Sequence, residues 1–214
     1  MELKLVTEYA WNNRTAEASA SYIVFATGDG PTENRILEGF AHQFDGNEIR
    51  ILTFKSPLKS RTTGLASLKI VRIYIDEFRV RQLVWSCDKE HLSPQDDSVH
   101  QIKAKLTSLG MNVTAVTEWN DAARLDVALG QKESVLWCAL TGKQSCLEEN
   151  LSDLIYLELG DKVTPDKQGV RSALKSRGLS LAGLIRLAKK DNLKQAIPSL
   201  FNVFDNIERD CSAS

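Results

Sequence analysis

Acidic side chains follow three separate apolar, strand-like segments of this chain. In chain order they are Asp29 and Glu33, Asp88 and Glu90, and Glu148 and Glu149. Because the carboxyl ends of parallel strands meet along one edge of an open sheet, we expect these side chains to lie together. Grouped carboxylates repel one another unless a cation lies between them, and hard oxygen ligands suit Mg²⁺ or Mn²⁺. The sequence therefore predicts a divalent-cation site at this edge, with Mg²⁺ (or Mn²⁺) as its cofactor.

Each acidic position also has a simpler structural interpretation. The Gly28-Asp29-Gly30-Pro31 stretch is typical of a tight turn that caps a helix. Asp88, Glu90 and Glu148 are negative charges of the kind that a helix N-terminus favours. A shared site and three independent helix starts both remain open at this point.

The elements that must position these residues alternate between strand and helix. Apolar patterning and turn residues predict strands at 21–26, 48–54, 82–87, 112–117 and 134–140. They predict helices at 31–44, 65–78, 99–109, 118–132, 147–159, 166–176 and 181–207, the last interrupted at Pro198. This alternation predicts an α/β fold with a mostly parallel central sheet, helices on both faces and a C-terminal helical appendage. We expect an α/β domain at 1–160 and a helical extension packed on it at 161–214, with an edge strand and a loop suggested within residues 1–20.

Composition narrows the class of protein. The chain has 214 residues, of which 43% are hydrophobic and 26% charged, as in ordinary folded proteins. Its longest apolar stretches are strand-sized, far short of the ~20 residues that cross a bilayer, so we expect no membrane association. No secretory signal pattern is visible at the start, so we expect a cytoplasmic location. The four cysteines are not spaced like zinc ligands or a disulfide scaffold, and we expect them to be reduced.

Charge is distributed unevenly along the chain. The formal net charge is −1, but residues 162–194 contain nine Lys and Arg against two Asp and Glu, a net charge of +7. Such a segment can bind a polyanion, or it can be the solvated face of ordinary helices. The candidate phosphate contacts are Arg171, Lys175 and Arg177 in this segment, together with Lys89 beside the acidic residues.

Three short motifs resemble a known family. The strand at 22–26 followed by Gly30-Pro31-Thr32-Glu33 resembles the strand-E-G-P-T-E-helix opening of Toprim domains in OLD-family nucleases. Asp88-Lys89-Glu90 looks like the D-x-D motif of that fold, with Glu in place of the second Asp. Leu147-Glu148 is similar to the later acidic position of small stand-alone OLD-like Toprim proteins. The resemblance covers about residues 21–159 and implies a Toprim-like, Rossmann-like fold.

The resemblance also implies roles for individual residues. Asp88, Glu90 and Glu148 are expected to hold Mg²⁺, while Asp29 and Glu33 are expected to act in catalysis, either by proton transfer or by holding a second metal ion. The sequence departs from the family pattern in having Asp29 where the family has Glu, one methylene shorter, and in having Glu90 where it has Asp. It also has no G-x-x-x-x-G-K-[ST] loop, so the ATPase part of full OLD proteins is absent from this sequence.

Three functions fit these observations. The first is a Mg²⁺-dependent nuclease or related enzyme that acts on nucleic acid. The second is a binding or scaffold module with a degenerate Toprim-like site, acting with a protein partner in nucleic-acid processing or defence. The third is a binder of nucleotides or small phosphates that uses the same strand ends without hydrolysis.

Overall fold

The computed structural model describes residues 22–44, 49–53 and 62–213. The described strands are β1 (Tyr22–Gly28), β2 (Ile49–Thr53), β3 (Gln82–Asp88), β4 (Asn112–Trp119), β5 (Ala122–Leu129) and β6 (Lys132–Thr141). The described helices are α1 (Pro31–Phe44), α2 (Leu68–Phe78), α3 (Ser98–Ser108), α4 (Leu147–Leu159), α5 (Lys167–Ser176), α6 (Leu181–Leu187), α7 (Lys190–Ala196) and α8 (Pro198–Ala213). Short 3-10 turns at Gly64–Ser67 and Lys89–His91 precede α2 and follow β3.

The sheet has the strand order β2-β1-β3-β6-β5-β4. The first four strands of this order are mutually parallel, and β5 and β4 continue the sheet as antiparallel neighbours. Gly28 of β1 is in register with Ser86 of β3, and Asp88 of β3 is in register with Thr141 of β6. The predicted α/β fold with a mostly parallel sheet is therefore confirmed, and the carboxyl ends of β1, β3 and β6 lie side by side.

Helices cover both faces of this sheet, as predicted. One apolar core joins the sheet to α1, α4 and the C-terminal helices, with Phe40, Leu151 and Phe204 among its buried side chains. A second core joins the other face to α2 and α3, with Ile75 and Ile102 among its members. Burial on both faces explains why β3 reads as a continuous apolar run and not as an alternating one.

The helix predicted at 118–132 is wrong. These residues form the end of β4, the whole of β5 and the start of β6, joined by two-residue hairpin loops at 120–121 and 130–131. Asp121 and Gly130 have positive φ angles of 56° and 62°, as tight hairpin turns require. Alternate residues of β5 pack into the core beneath α2 and α3, so strand periodicity overrides the helical preference of its alanines and leucines.

The C-terminal helices pack on the α1 side of the sheet. The helix predicted at 181–207 consists of α6, α7 and α8, and Pro198 begins α8, where a proline is well tolerated. The Gln43 side-chain amide of α1 donates to the Ile185, Arg186 and Ala188 carbonyls at the end of α6, at 2.8–3.1 Å. Three carbonyls at the end of α6 thus find their hydrogen-bond donor in α1. The division between domains at residue 160 stays a prediction.

The remaining expectations concern the edges of the described chain and its composition. The edge strand and loop suggested within residues 1–20 lie outside the described residues. Among the described helices, none combines the length and the apolar character that crossing a membrane requires. The four cysteines are free, in agreement with the expectation from their spacing.

Candidate functional site

Four carboxylates from separate parts of the chain converge at the carboxyl edge of the parallel strands. Asp29 follows β1, Glu33 lies in the first turn of α1, Asp88 ends β3 and Glu148 lies in the first turn of α4. Their exposures are 5%, 7%, 6% and 5% in that order. Burial, followed by the charges of Asp29, Asp88 and Glu148, raises the pKa of Glu33 to about 8. We call these four residues the carboxylate cluster.

Asp29 is held by donors from the opposite side of the strand edge. The Gly64 backbone N–H donates to Asp29 Oδ2 at 2.9 Å, and His91 Nε2 lies 3.5 Å from the same oxygen. Burial raises the pKa of Asp29, while the Gly64 hydrogen bond, the His91 charge and a hydrogen bond with Cys87 act to lower it. Asp29 is therefore a buried carboxylate with a defined orientation and little compensating charge.

A buried chain of hydrogen bonds places the Gly64 N–H toward Asp29. The Trp85 indole Nε1 donates to Ser67 Oγ at 2.8 Å, and Ser67 Oγ donates to the Gly64 carbonyl at 2.7 Å. Gly64 has a φ of +59°, and a Cβ there would lie 2.7 Å from the His91 Cβ. Glycine is thus required at this position by both backbone conformation and space.

Asp88 links β3, β6 and the start of α4. Its Oδ1 accepts hydrogen bonds from Thr141 Oγ1 at 2.7 Å and from the Leu147 backbone N–H at 3.0 Å. The second bond satisfies one of the free N–H groups at the beginning of α4, which carries Glu148. Burial, opposed by the Thr141 hydrogen bond, raises the pKa of Asp88 to about 6, and the charges of Asp29 and Glu148 contribute to the rise.

Glu33 lies against β1 because residue 28 is glycine. A Cβ at Gly28 would stand 2.2 Å from the Glu33 Cβ, and a Cβ at Gly30 would stand 2.5 Å from Glu33 Oε2. Asn34 Oδ1 accepts a hydrogen bond from the Gly28 N–H at 2.8 Å, which fixes the first turn of α1 on the strand end. With a pKa of about 8, Glu33 is largely protonated at neutral pH. It can therefore donate a proton.

Ser86 adds an unsatisfied hydroxyl on the same face as Asp88. Ser86 is fully buried, and its Oγ has no hydrogen-bond partner among the described residues. It lies on β3 between Gly28 of β1 and Ala139 of β6, both small, and Glu33 covers Gly28. Leaving a buried hydroxyl unpaired costs about 1–3 kcal/mol. The Ser86 hydroxyl thus marks a place for a polar group, either water or a ligand, next to the carboxylate cluster.

Ser67 and Ser86 permit a matched test, because both are fully buried serines beside the site. Ser67→Ala removes two hydrogen bonds and leaves the Trp85 indole N–H unpaired, so we expect unfolding free energy to fall by about 1–3 kcal/mol. Ser86→Ala removes only an unpaired hydroxyl, so we expect the metal-free protein to be equally stable or more stable. Urea unfolding of both variants measures the difference. Equal destabilisation would show that Ser86 is also hydrogen-bonded in the native state.

Glu90 and Lys89 lie at the rim of the site. Glu90 is exposed, and its Oε1 is 4.0 Å from His91 Nε2. The Glu90 charge contributes to the raised pKa of Asp88, after burial and the charges of Asp29 and Glu148. Lys89 Nζ pairs with Asp121 Oδ2 at 2.8 Å, so the Lys89 cation is directed to the β4–β5 hairpin.

Glu149, the second acid at the start of α4, has a structural role. Its Oε2 accepts hydrogen bonds from the Gln144 and Ser145 backbone N–H groups at 2.8 and 3.2 Å. Although burial acts in the opposite direction, these bonds lower the pKa of Glu149. The side chain therefore orders the loop between β6 and α4 and is not free to bind a ligand.

The three predicted basic residues of the C-terminal region lie apart from the carboxylate cluster. Arg171 and Lys175 are exposed on α5, which packs against α4. The Arg177 guanidinium pairs with both carboxylate oxygens of Asp161, at 2.9–3.2 Å. Asp161 follows the C-terminal end of α4, whereas the cluster gathers at its N-terminal end, about 20 Å away for 13 residues of helix.

Sequence patterns did not identify several residues that shape this site. The Gly64 N–H reaches Asp29 from a segment 35 residues away in the chain, and Ser86 lies within an apolar strand where a serine is unremarkable. The position of His91 beside Asp88-Lys89-Glu90 makes it a candidate phosphate contact by sequence, but its approach to Asp29 depends on the 3-10 turn after β3. These contacts depend on tertiary packing.

The donor set suits a hard divalent cation by its chemistry. Within the described residues, no three His, Cys, Asp or Glu side chains already surround a point where a metal ion could bind. The charges of Asp29 and Glu148 lie close enough to Glu33 and Asp88 to raise the pKa of each. Asp29 and Asp88 also accept hydrogen bonds from the protein. Mg²⁺ keeps several waters and uses only one or two protein carboxylates plus substrate oxygens. Buried carboxylates that do not fully surround a cation are compatible with this mode of Mg²⁺ binding, in which water and substrate oxygens supply the remaining ligands.

Comparison of the chain with protein-family models, with curated proteins and with solved structures found no match. The resemblance to OLD-family Toprim domains therefore stays a prediction that rests on Gly30-Pro31-Thr32-Glu33, Asp88-Lys89-Glu90 and Leu147-Glu148.

Proposed function

We propose that this chain is a Toprim-like enzyme that acts on nucleic acid by Mg²⁺-dependent phosphodiester chemistry, as a nuclease does. The observation that supports this proposal is the convergence of four buried carboxylates at the ends of β1 and β3 and the starts of α1 and α4. Buried carboxylates with few cationic partners are costly to the fold, and such costs are typical of functional sites.

Asp88, Glu90 and Glu148 are the proposed holders of Mg²⁺ or Mn²⁺. A divalent cation bound there would offset negative charge on a phosphodiester and make water a stronger nucleophile. Asp88 is fixed by Thr141 and Leu147, and Glu148 is carried by the helix that Asp88 caps. Glu90 lies on the exposed side, where a substrate can approach.

Asp29 and Glu33 are the proposed proton-transfer residues. Phosphodiester hydrolysis requires a proton to leave the attacking water and another to reach the departing oxygen. Glu33, with a pKa of about 8, is suited to donate the second proton at neutral pH. Asp29, oriented by the Gly64 N–H and beside His91, is suited to accept the first.

One observation favours the binding or scaffold module as the alternative. Asp88 Oδ1 already accepts two hydrogen bonds that join β6 and α4 to β3. Such a carboxylate can be retained for structure after catalysis has been lost. In this alternative the chain binds nucleic acid, or a protein partner engaged with it, without cleaving the phosphodiester.

Cleavage and binding assays separate these functions. The protein is incubated with single-stranded and duplex DNA and RNA in Mg²⁺, in Mn²⁺ and in EDTA. We expect cleavage in either metal and none in EDTA. Binding without cleavage would replace the proposed function with the binding module, and an absence of both would leave the binder of nucleotides or small phosphates. Thermal unfolding in Mn²⁺ gives a second measurement, because a ligand that binds only the native state raises the melting temperature.

A further inference from the structure

Helix α5 presents an unpaired row of cations to solvent. Lys167, Arg171 and Lys175 are spaced four residues apart, so they lie along one side of the helix. All three are exposed, while Val170 and Leu174 on the inner side are buried in the core shared with α1 and α4. We call these three cations the basic ridge. Its outward orientation is set by the packing of α5.

The three cations of the basic ridge have no acidic partner among the described residues. Within the described residues, no carboxylate oxygen lies within 4.0 Å of Lys167, Arg171 or Lys175. Cations that do have a carboxylate partner within that distance are Lys89, Arg124, Lys132, Lys143, Arg177, Lys190 and Arg209. The ridge is therefore available to an external anion.

Helix stability does not explain this arrangement. Like charges four residues apart destabilise a helix by about 0.2–0.5 kcal/mol per pair. Lys167 is also the first residue of α5, where the helix dipole disfavours a positive charge. The N-cap is Asp166, but its carboxylate accepts a hydrogen bond from the Gly169 N–H at 2.7 Å. Two of the three cations thus occupy positions that cost stability.

The ridge begins toward the carboxylate cluster and runs away from it. Ser152 Oγ, in the second turn of α4, donates to the Val163 carbonyl at 3.0 Å, so the chain returns along α4 after that helix ends. Helix α5 then runs back, and Arg177 after its last turn pairs with Asp161 beside the end of α4. Lys167 is consequently at the end of the ridge that is nearer to the start of α4, where the cluster gathers.

We propose that the basic ridge binds the phosphodiester backbone of a nucleic acid and guides it toward the carboxylate cluster. This inference rests on the proposed function, because it takes nucleic acid as the substrate. Lys167 and Lys175 are about 12 Å apart along the helix axis, which matches about three to four nucleotides of axial rise on one strand. Helix α5 has no aromatic residue on which a base could stack, so the contact is with phosphates and is independent of base sequence.

The test compares two triple variants in EDTA, so that divalent metal plays no part. One variant is Lys167→Gln, Arg171→Gln and Lys175→Gln. The matched control is Lys69→Gln, Arg72→Gln and Lys103→Gln, which removes the same charge from exposed residues of α2 and α3 on the other face of the sheet. Fluorescence anisotropy with labelled duplex DNA, single-stranded DNA and duplex RNA is measured at several salt concentrations.

We expect the ridge variant to bind at least about tenfold more weakly at ~0.1 M salt and to lower the slope of log affinity against log salt by about 2–3, whereas the control changes little. Equal effects of the two variants would overturn the inference, as would a wild-type protein that binds none of the probes. Both variants are also tested for binding to phosphatidylserine vesicles. A ridge variant that loses vesicle binding but keeps nucleic-acid binding would overturn the inference as well. The Mn²⁺ melting shift does not involve α5, so it tests the proposed function separately.

Discussion

Replacing Asp88 by asparagine is expected to reduce metal-dependent cleavage at least ~100-fold while the protein remains folded. Asparagine keeps an oxygen that can accept the hydrogen bonds from Thr141 and Leu147, so α4 stays capped. The negative charge that a divalent cation requires is lost. Residues that only support a metal ligand already cost about 10–100-fold when replaced, and loss of a direct ligand costs more.

The matched control for this variant is Asp96→Asn, the same chemical change at an exposed residue in the loop after β3. It should leave cleavage and the Mn²⁺-dependent rise in melting temperature as in the wild type. Asp88→Asn should abolish that rise. A full melting shift in Asp88→Asn, together with wild-type cleavage, would show that Asp88 does not hold the metal.

The metal-free protein is expected to lose stability as the pH rises from about 4 to about 8. The pKa of Glu33 is raised from 4.5 to about 8 and that of Asp88 from 3.8 to about 6, both chiefly by burial. In this range the native state binds more protons than the unfolded state, so stability falls with increasing pH. The stability contributed by protonation of Glu33 and Asp88 is fully present below their unfolded-state pKa values. It is lost as the pH rises through their folded-state pKa values. Mg²⁺ should offset this loss by stabilising the ionised carboxylates.

Glu33→Gln tests the origin of that pH dependence. A neutral amide of the same shape avoids the cost of ionisation, so we expect the metal-free variant to be more stable than the wild type by roughly 2–4 kcal/mol at pH 8 and by much less at pH 5. Glu38→Gln, an exposed glutamate of the same helix, is the control and should leave the profile unchanged. Urea unfolding across this pH range measures both. A wild-type profile that rises toward pH 8 would contradict the assignment of buried, charge-repelling carboxylates.

Local sequence patterns were sufficient for the elements that position the carboxylates. The predicted helices at 31–44 and 147–159 match α1 and α4, because helical periodicity and the flanking turn residues are properties of short segments. The same patterns placed Asp29, Glu33, Asp88 and Glu148 at strand ends and helix starts. The parallel arrangement of β1, β3 and β6 then brings these ends together.

The β4–β5–β6 hairpins could not be recognised in the same way. Residues 118–132 contain good helix formers, and their strand conformation depends on pairing with β4 and β6 and on burial beneath α2 and α3. The contacts with α2 and α3 join this segment to residues that are distant in sequence. Their energy is absent from any pattern within the segment itself.

Residue types and order were enough to establish the α/β class of this chain and to identify its acidic strand ends, since both follow from short-range periodicity and turn chemistry. Packing was needed to bury the carboxylates together, to bring the Gly64 N–H to Asp29 and to leave the Ser86 hydroxyl unpaired. Burial and the electrostatic repulsion between side chains arise only when distant segments meet, and they are what shift the pKa values of Glu33 and Asp88.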